Sequence, residues 1–304
     1  MEKEFYFMDG NYVPSDEAKI SVRCHAFLYG TSVFEGIRGY WDEKENQLYV
    51  FRAKEHIERM FNSAKIMFMN PKYTVEEYLE IIKKLIKKNN YKENCYIRPE
   101  IYKSGFNICP GLDDNDGVLI FTLKLGDYLP TNEGVKVCVS NWDRLEDNTI
   151  PPRAKISGAY ANTALMITEA KKSGFDDAIA ISSNGKIAEG SAMNFFLVEG
   201  NNLITTPTTS NILVGITRNT IMEIAKEELG LNVIEREINR TELYIADEAF
   251  FCGTGVQISP ISSIDHRPIG NGRVGETTKK IQKLYDDIVK GKIEKYKKWC
   301  MPIY

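Results

Sequence analysis

Apolar and polar positions alternate from the start of the chain. Phe5-Tyr-Phe-Met8 and Asn11-Tyr-Val13 flank Asp9-Gly10, a dipeptide that supplies positive φ at low cost, and this predicts a β-hairpin. The apolar run 47–51 predicts a strand feeding a helix that begins near Lys54 and carries His56 and Arg59. Between 75 and 88, Val75, Leu79, Ile82, Leu85 and Ile86 recur at helical spacing, with Asn89-Asn90 as the stop. Strands follow at 96–102 and 118–125. Beyond them the pattern predicts a strand at 135–139 and a helix at 160–172 ended by Gly174. Two hairpins turn on Asn184-Gly185 and on residues 200–202. The next predicted helix spans 217–229, with Thr217 as N-cap and Gly230 past its end, and a further strand spans 248–252.

Residues 126–134 gather two Gly, a Pro, an Asn and an Asp between two strong apolar runs, which marks them as a linker. The expected organisation is a smaller N-terminal α/β domain over 1–125, that linker, and a larger C-terminal α/β domain over 135–304. Hairpins joined to helices without regular β-α-β alternation give a mixed α and β class and argue against a doubly wound dinucleotide fold. The Lys-rich tail 290–300 reads as a solvated helix face.

Composition narrows the function. The 304 residues hold 39 Lys plus Arg and 42 Asp plus Glu, a net charge of −3, which gives no electrostatic reason to expect nucleic acid. No stretch approaches the ~20 apolar residues of a membrane span. The acidic, mixed start Met1-Glu-Lys-Glu is unlike a signal peptide, so a soluble cytoplasmic protein is expected. Six scattered cysteines without a C-x-x-C pair, and only His25, His56 and His266, support neither a disulfide framework nor a zinc site, and no metal is expected.

Three segments could carry chemistry, and each admits a plainer reading. Lys155 stands among the small residues Ala154, Ser157, Gly158 and Ala159, with Tyr160 five positions on. A desolvated lysine in such a setting can form a Schiff base with an aldehyde; alternatively it is a surface lysine. Glu189 follows an apolar strand and precedes small residues. It is either a strand-end surface carboxylate or one that keeps a cofactor ring nitrogen protonated. Gly215-Ile216-Thr217 and Gly253-Thr254-Gly255 are either turns with a helix cap or a phosphate cup, for which Arg59 could supply the charged fork. Together the three describe what pyridoxal phosphate asks of a protein.

At these residues the chain resembles the branched-chain amino-acid aminotransferases, within the class IV (fold type IV) pyridoxal phosphate enzymes. The resemblance runs from Phe7-Met-Asp-Gly10 to about Lys283 and includes the block Tyr29 to Arg38, Glu55-His-Ile-Glu-Arg59 and Tyr96-Ile-Arg98-Pro. The Lys155 segment, Glu189-Gly, Gly215-Ile-Thr217-Arg and Gly253-Thr254 follow in the family's order. It implies a two-domain fold of the D-amino-acid aminotransferase-like type, with pyridoxal 5'-phosphate as cofactor. Lys155 would hold the cofactor covalently and move the Cα proton, Glu189 would pair with the ring nitrogen, and Tyr160 with the phenolic oxygen. Arg59, Ile216, Thr217 and Thr254 would hold the phosphate. Phe34, Tyr128, Tyr160 and, from a second subunit, Tyr29 would wall the side-chain pocket. Tyr96, Arg98 and the Thr254-Gly255 backbone would receive carboxylates.

The implied reaction moves the amino group of leucine, isoleucine or valine to 2-oxoglutarate by a ping-pong route in a homodimer or higher homo-oligomer. A D-amino-acid or (R)-amine transaminase of the same fold is the alternative, with aminodeoxychorismate lyase further off. Gly255, Ala192, Met193 and Leu125 depart from the family's common residues on the substrate side.

Overall fold

The computed structural model describes residues 4–126 and 133–304. The chain divides into two compact units. The first comprises Met1–Gly126, Ala154–Gly158 and Asp287–Tyr304, and the second Asp127–Arg153 and Ala159–Asp286. These bounds differ from the expected 1–125, 126–134 and 135–304 in two stretches. Residues 154–158, which hold Lys155, and the C-terminal segment from Asp287 both group with the first unit.

The described residues of the first unit build an eight-stranded sheet. Its order is Cys300–Pro302, Gln47–Phe51, Ile37–Asp42, Cys95–Lys103, Asp116–Lys124, Phe5–Met8 and Asn11–Pro14, with Ser32–Phe34 pairing Cys95–Lys103 off this path. Every pairing is antiparallel. The predicted first hairpin forms in register Phe5↔Pro14 to Met8↔Asn11, with Asp9 and Gly10 at φ +44° and +97°. Helices Ala53–Ile66 and Val75–Asn89 accompany the sheet. The second opens with a capping box, Thr74 and Glu77 satisfying each other's backbone N–H groups, which fixes its start. Ile57, Met60, Leu85, Ile86, Ile97, Ile101 and Ile120 are buried in this unit.

The tail corrects its sequence reading as a solvated helix face. Residues Glu294–Trp299 form a 3-10 turn, and Cys300–Pro302 add an edge strand to Gln47–Phe51. Tyr296, Trp299, Cys300 and Ile303 are buried, so the lysines decorate a segment anchored by its apolar residues.

The second unit carries a nine-stranded mixed sheet among its described residues, in the order Ile187–Gly190, Asp177–Ile181, Val135–Asp143, Gln257–Ile264, Glu248–Gly253, Asn194–Glu199, Asn202–Thr205 and Asn232–Glu235. Arg267–Pro268 pairs with Gln257–Ile264. Three pairings are parallel, those of Val135–Asp143 with both its neighbours and of Asn202–Thr205 with Asn232–Glu235. Val137, Phe195, Leu197, Phe251 and Ile261 belong to its core. Helix Tyr160–Lys172 matches its predicted span.

The helix predicted at 217–229 runs from Ile216 to Leu229, and its N-cap is Gly215 rather than Thr217. A Cβ at Gly215 would lie 2.0 Å from the Asn194 Oδ1, so only glycine fits there and the expected hydroxyl cap is displaced into the first turn.

Candidate active site

In the first unit, Arg59 lies one helical turn from His56, and both converge on Glu35. Arg59 Nε donates to Glu35 Oε1 at 2.7 Å and Nη2 to Oε2 at 2.8 Å, a bidentate fork. His56 Nδ1 lies 2.7 Å from the same Oε2. Burial alone would raise the Glu35 carboxyl, but the guanidinium and imidazole beside it hold it well below the usual carboxylate range. Burial pushes His56 down further than the Glu35 charge restores it, and Arg59 and Lys155 push the same way. The imidazole is therefore neutral and donates its Nδ1–H to Glu35.

The Lys155 segment is stitched to the same unit through its backbone. Phe34 N–H donates to the Lys155 carbonyl at 3.0 Å, Lys155 N–H to Ser63 Oγ at 3.1 Å, and Val33 bridges Ile156. Gly158, one of the small residues around Lys155, has a structural cause. A Cβ on Gly30 would come within 2.6 Å of the Gly158 Cα, and Gly158 N–H donates to the Gly30 carbonyl at 3.0 Å. The Lys155 ammonium stands 5.0 Å from the centre of the Phe34 ring. The Arg98 guanidinium stands 4.1 Å from that ring, with Nε donating to Tyr96 Oη at 2.9 Å. Phe34, Tyr96, Arg98 and Lys155 thus come together. Tyr29 is exposed, at the end of a short helix, and its hydroxyl donates to the Ile108 carbonyl. Tyr128 lies outside the described residues.

In the second unit Glu189 is buried at the end of strand Ile187–Gly190. Arg144 Nε and Nη2 each approach Glu189 Oε1 at 2.8 Å, Asn194 Nδ2 donates to Oε2 at 3.0 Å, and Leu213 N–H reaches Oε1 at 3.4 Å. Asn194 also donates to the Leu213 carbonyl at 2.9 Å, while its amide oxygen fills the space against Gly215. The start of the 216–229 helix has no side-chain cap, and Ile216 and Thr217 are buried in its first turn. Gly253 ends strand Glu248–Gly253, paired with Gln257, and Thr254 and Gly255 lie in the turn that follows, where a Cβ added at Gly255 meets nothing within 4 Å. Tyr160 is half-buried as the first residue of its helix.

Sequence reasoning assigned no role to Glu35, His56, Ser63, Arg144 or Asn194. Glu35 stands 24 positions from Arg59 and Arg144 stands 45 from Glu189, so no local spacing joins them. The only signal was the need of a buried charge for an opposite partner.

Comparison with known proteins bears on this geometry. The sequence model of the family described as Amino-transferase class IV matches residues 32–264. A probable branched-chain-amino-acid aminotransferase of Aquifex aeolicus is 46% identical over 302 residues, covering 99% of this chain and 97% of that protein. Among solved structures, a branched-chain aminotransferase of Thermoproteus uzoniensis with norvaline aligns at TM-score 0.94 and 41% identity, over 99% of this chain and 100% of that one. The PLP (holo) form of the branched-chain amino acid aminotransferase of Thermobaculum terrenum aligns at 0.95 and 34% identity, over 99% of each chain.

Proposed function

The chain belongs to the class IV aminotransferases, and from that premise we propose how its residues divide the chemistry. It is a pyridoxal 5'-phosphate-dependent transaminase of branched-chain L-amino acids, with 2-oxoglutarate as acceptor. The observation that carries the residue assignment is the double duty of Asn194. One amide holds Glu189 and also shapes the uncapped start of the 216–229 helix, so a carboxylate for a ring nitrogen and backbone donors for a phosphate are built as one piece. These donor and acceptor types fit the cofactor.

Bound pyridoxal phosphate supplies an electron sink for negative charge developing at the amino acid's Cα. Glu189 holds the proton on the ring nitrogen, and Tyr160 donates to the phenolic oxygen. Arg59, Thr254 and the N–H groups of Ile216 and Thr217 hold the phosphate. The Lys155 amine takes the Cα proton and returns it, a role that contributes ~10²–10⁴-fold in rate. Phe34 and Tyr160 wall the substrate side chain, a role the resemblance also gives to Tyr128, while Tyr96, Arg98 and the Thr254-Gly255 backbone receive carboxylates. In a pocket of this kind one methylene is worth only ~1–3 kcal/mol, so discrimination among leucine, isoleucine and valine is shallow.

Tyr29 is assigned to the pocket of a second copy, in a homodimer. Exposed Val22, Phe27, Phe106 and Ile108 from its surroundings in the chain support a covered face there. A cytoplasmic location belongs to the same proposal. Among the described residues no helix is long and apolar enough to cross a membrane.

The test is a matrix of half-reactions followed by cofactor absorbance. L-leucine, L-isoleucine and L-valine discharge the holoenzyme and 2-oxoglutarate restores it. Rapid discharge by D-alanine with none by L-leucine overturns the substrate assignment. Borohydride reduction followed by peptide mapping places the cofactor on the Lys155 peptide. Attachment that survives Lys155→Ala overturns the nucleophile.

A further inference from the structure

Strand Cys95–Lys103 turns alternate residues to opposite faces, and Tyr96, Arg98 and Glu100 share one of them. Arg98 is drawn to Tyr96 by its Nε hydrogen bond and laid on the Phe34 ring. Glu100, two residues on, sits directly opposite Phe34 in the register with strand Ser32–Phe34. The hydroxyls of Ser32 and Ser157, 2.7 Å apart, both reach its carboxyl group, and Ser157 lies two residues beyond Lys155. A carboxyl group therefore stands in the wall that carries Arg98, although an apolar amino-acid side chain has no use for it. Burial outweighs the Ser32 hydroxyl, the Arg98 charge and the Ser157 hydroxyl, so the Glu100 carboxyl stands above its ordinary value.

Residues i and i+2 on one strand face lie ~6.5–7 Å apart, close enough for opposite charges to compensate one another in a partly dry site. We propose that Glu100 is a positioning residue that sets the charge Arg98 presents to substrate, and through it the preference between dicarboxylic and monocarboxylic keto acids. The inference rests on the proposed function and narrows it: Arg98 receives the second carboxylate, while Tyr96 and the Gly255 backbone receive the carboxylate common to both acids. The Glu100 carboxylate cancels part of the Arg98 field, so the second carboxylate of 2-oxoglutarate meets a weakened cation. A branched apolar side chain carries no charge for that field to act on. The balance between the two halves of the reaction is then set by a residue that need not touch either substrate.

The experiment compares KM and kcat of the holoenzyme for 2-oxoglutarate and for 4-methyl-2-oxopentanoate in wild type, Glu100→Gln, Glu100→Met, Glu100→Asp and Arg98→Met. Either neutral variant is expected to lower KM for 2-oxoglutarate about 3- to 10-fold while leaving KM and kcat for the monocarboxylate within about 2-fold. Glu100→Asp keeps the wild-type ratio of the two KM values. A KM ratio unchanged in the neutral variants, or a loss of kcat shared equally by both acids, overturns the proposal and leaves Glu100 as a mere anchor of the Ser157 segment. Arg98→Met separates the two levels. A raised KM for 2-oxoglutarate in that variant upholds the Arg98 assignment whatever Glu100 does, and an unchanged one removes the premise itself.

Discussion

Each unit contains a buried arginine–carboxylate pair, alike in that the carboxylate is the more buried member, and on the proposed assignment the two are used in opposite senses. In the first, Glu35 is fully buried and Arg59 is 15% exposed, and the carboxylate is the support of the cation proposed for the phosphate. In the second, Arg144 clasps the Glu189 carboxylate, and the arginine is the support of the carboxylate proposed for the ring nitrogen. The difference teaches that a charge in a dry site is held by an opposite one, and that a motif read from the sequence names one member of such a pair and not its partner. The supports also differ in number. Glu35 has Arg59 and His56, whereas Glu189 has Arg144, Asn194 and the Leu213 N–H. Replacing an arginine therefore leaves one carboxylate nearly orphaned and the other still hydrogen-bonded.

The largest expected effect breaks this symmetry directly. Arg59→Met leaves Glu35 buried beside a neutral imidazole and is expected to cost about 3–5 kcal/mol of stability. Arg144→Met leaves Glu189 the Asn194 amide and the Leu213 N–H as donors and is expected to cost about 1–3 kcal/mol. Urea unfolding of the apoenzymes measures both. Equal losses would show that the extra donors on Glu189 carry no weight, and the contrast between the units would fall.

These supports mark the limit of what the sequence made legible. The first hairpin, the helices at 75–88 and 160–172, and the hairpin turns were readable because periodicity and Gly or Asn chemistry act over a few residues. Lys155, Glu189 and Arg59 could be singled out as candidates by residue type and order. Arg144 and Glu35 were not, because a salt bridge across 45 or 24 positions leaves no local trace. The Thr217 cap was misread for a related reason. Threonine before a helical run usually caps it, but Asn194, more than 20 positions earlier, sets the start at Gly215 by filling the space a side chain needs. In the tail, the lysines masked Tyr296 and Trp299, which decide where it docks.

A smaller effect sharpens the second unit alone. Asn194→Ala removes the amide that Glu189 and the Leu213 carbonyl share, and opens space beside Gly215. The expected cost is about 1–3 kcal/mol. The variant should also lose cofactor affinity about 10-fold or more, read by fluorescence titration of the apoenzyme, since both anchors loosen together. Loss of stability with wild-type affinity would mean that the carboxylate and the helix start are independent after all.

The smallest effect belongs to the first unit and is read by pH. His56 and Glu35 both have folded-state pKa values below their ordinary ones, so the unfolded chain binds more protons than the folded one as the solution acidifies. Their contribution is complete above the unfolded values, about 6.5 for histidine and about 4.3 for glutamate, and is lost as pH falls toward the folded ones. The histidine component begins first, just below neutrality, at no more than about 1.4 kcal/mol per pH unit. His56→Gln keeps a donor for Glu35 and abolishes that component. Between pH 7 and about 5.5 its unfolding free energy should stay flatter than that of the wild type, and the two should fall together below pH 4.5 as carboxylates protonate. A wild-type curve that instead rises relative to the variant's as pH falls through the upper window would mean that His56 is protonated in the folded protein. The Glu35 cluster would then hold two cations on one carboxylate, and its contrast with the Arg144–Glu189 pair would have to be redrawn in terms of charge rather than of hydrogen bonds.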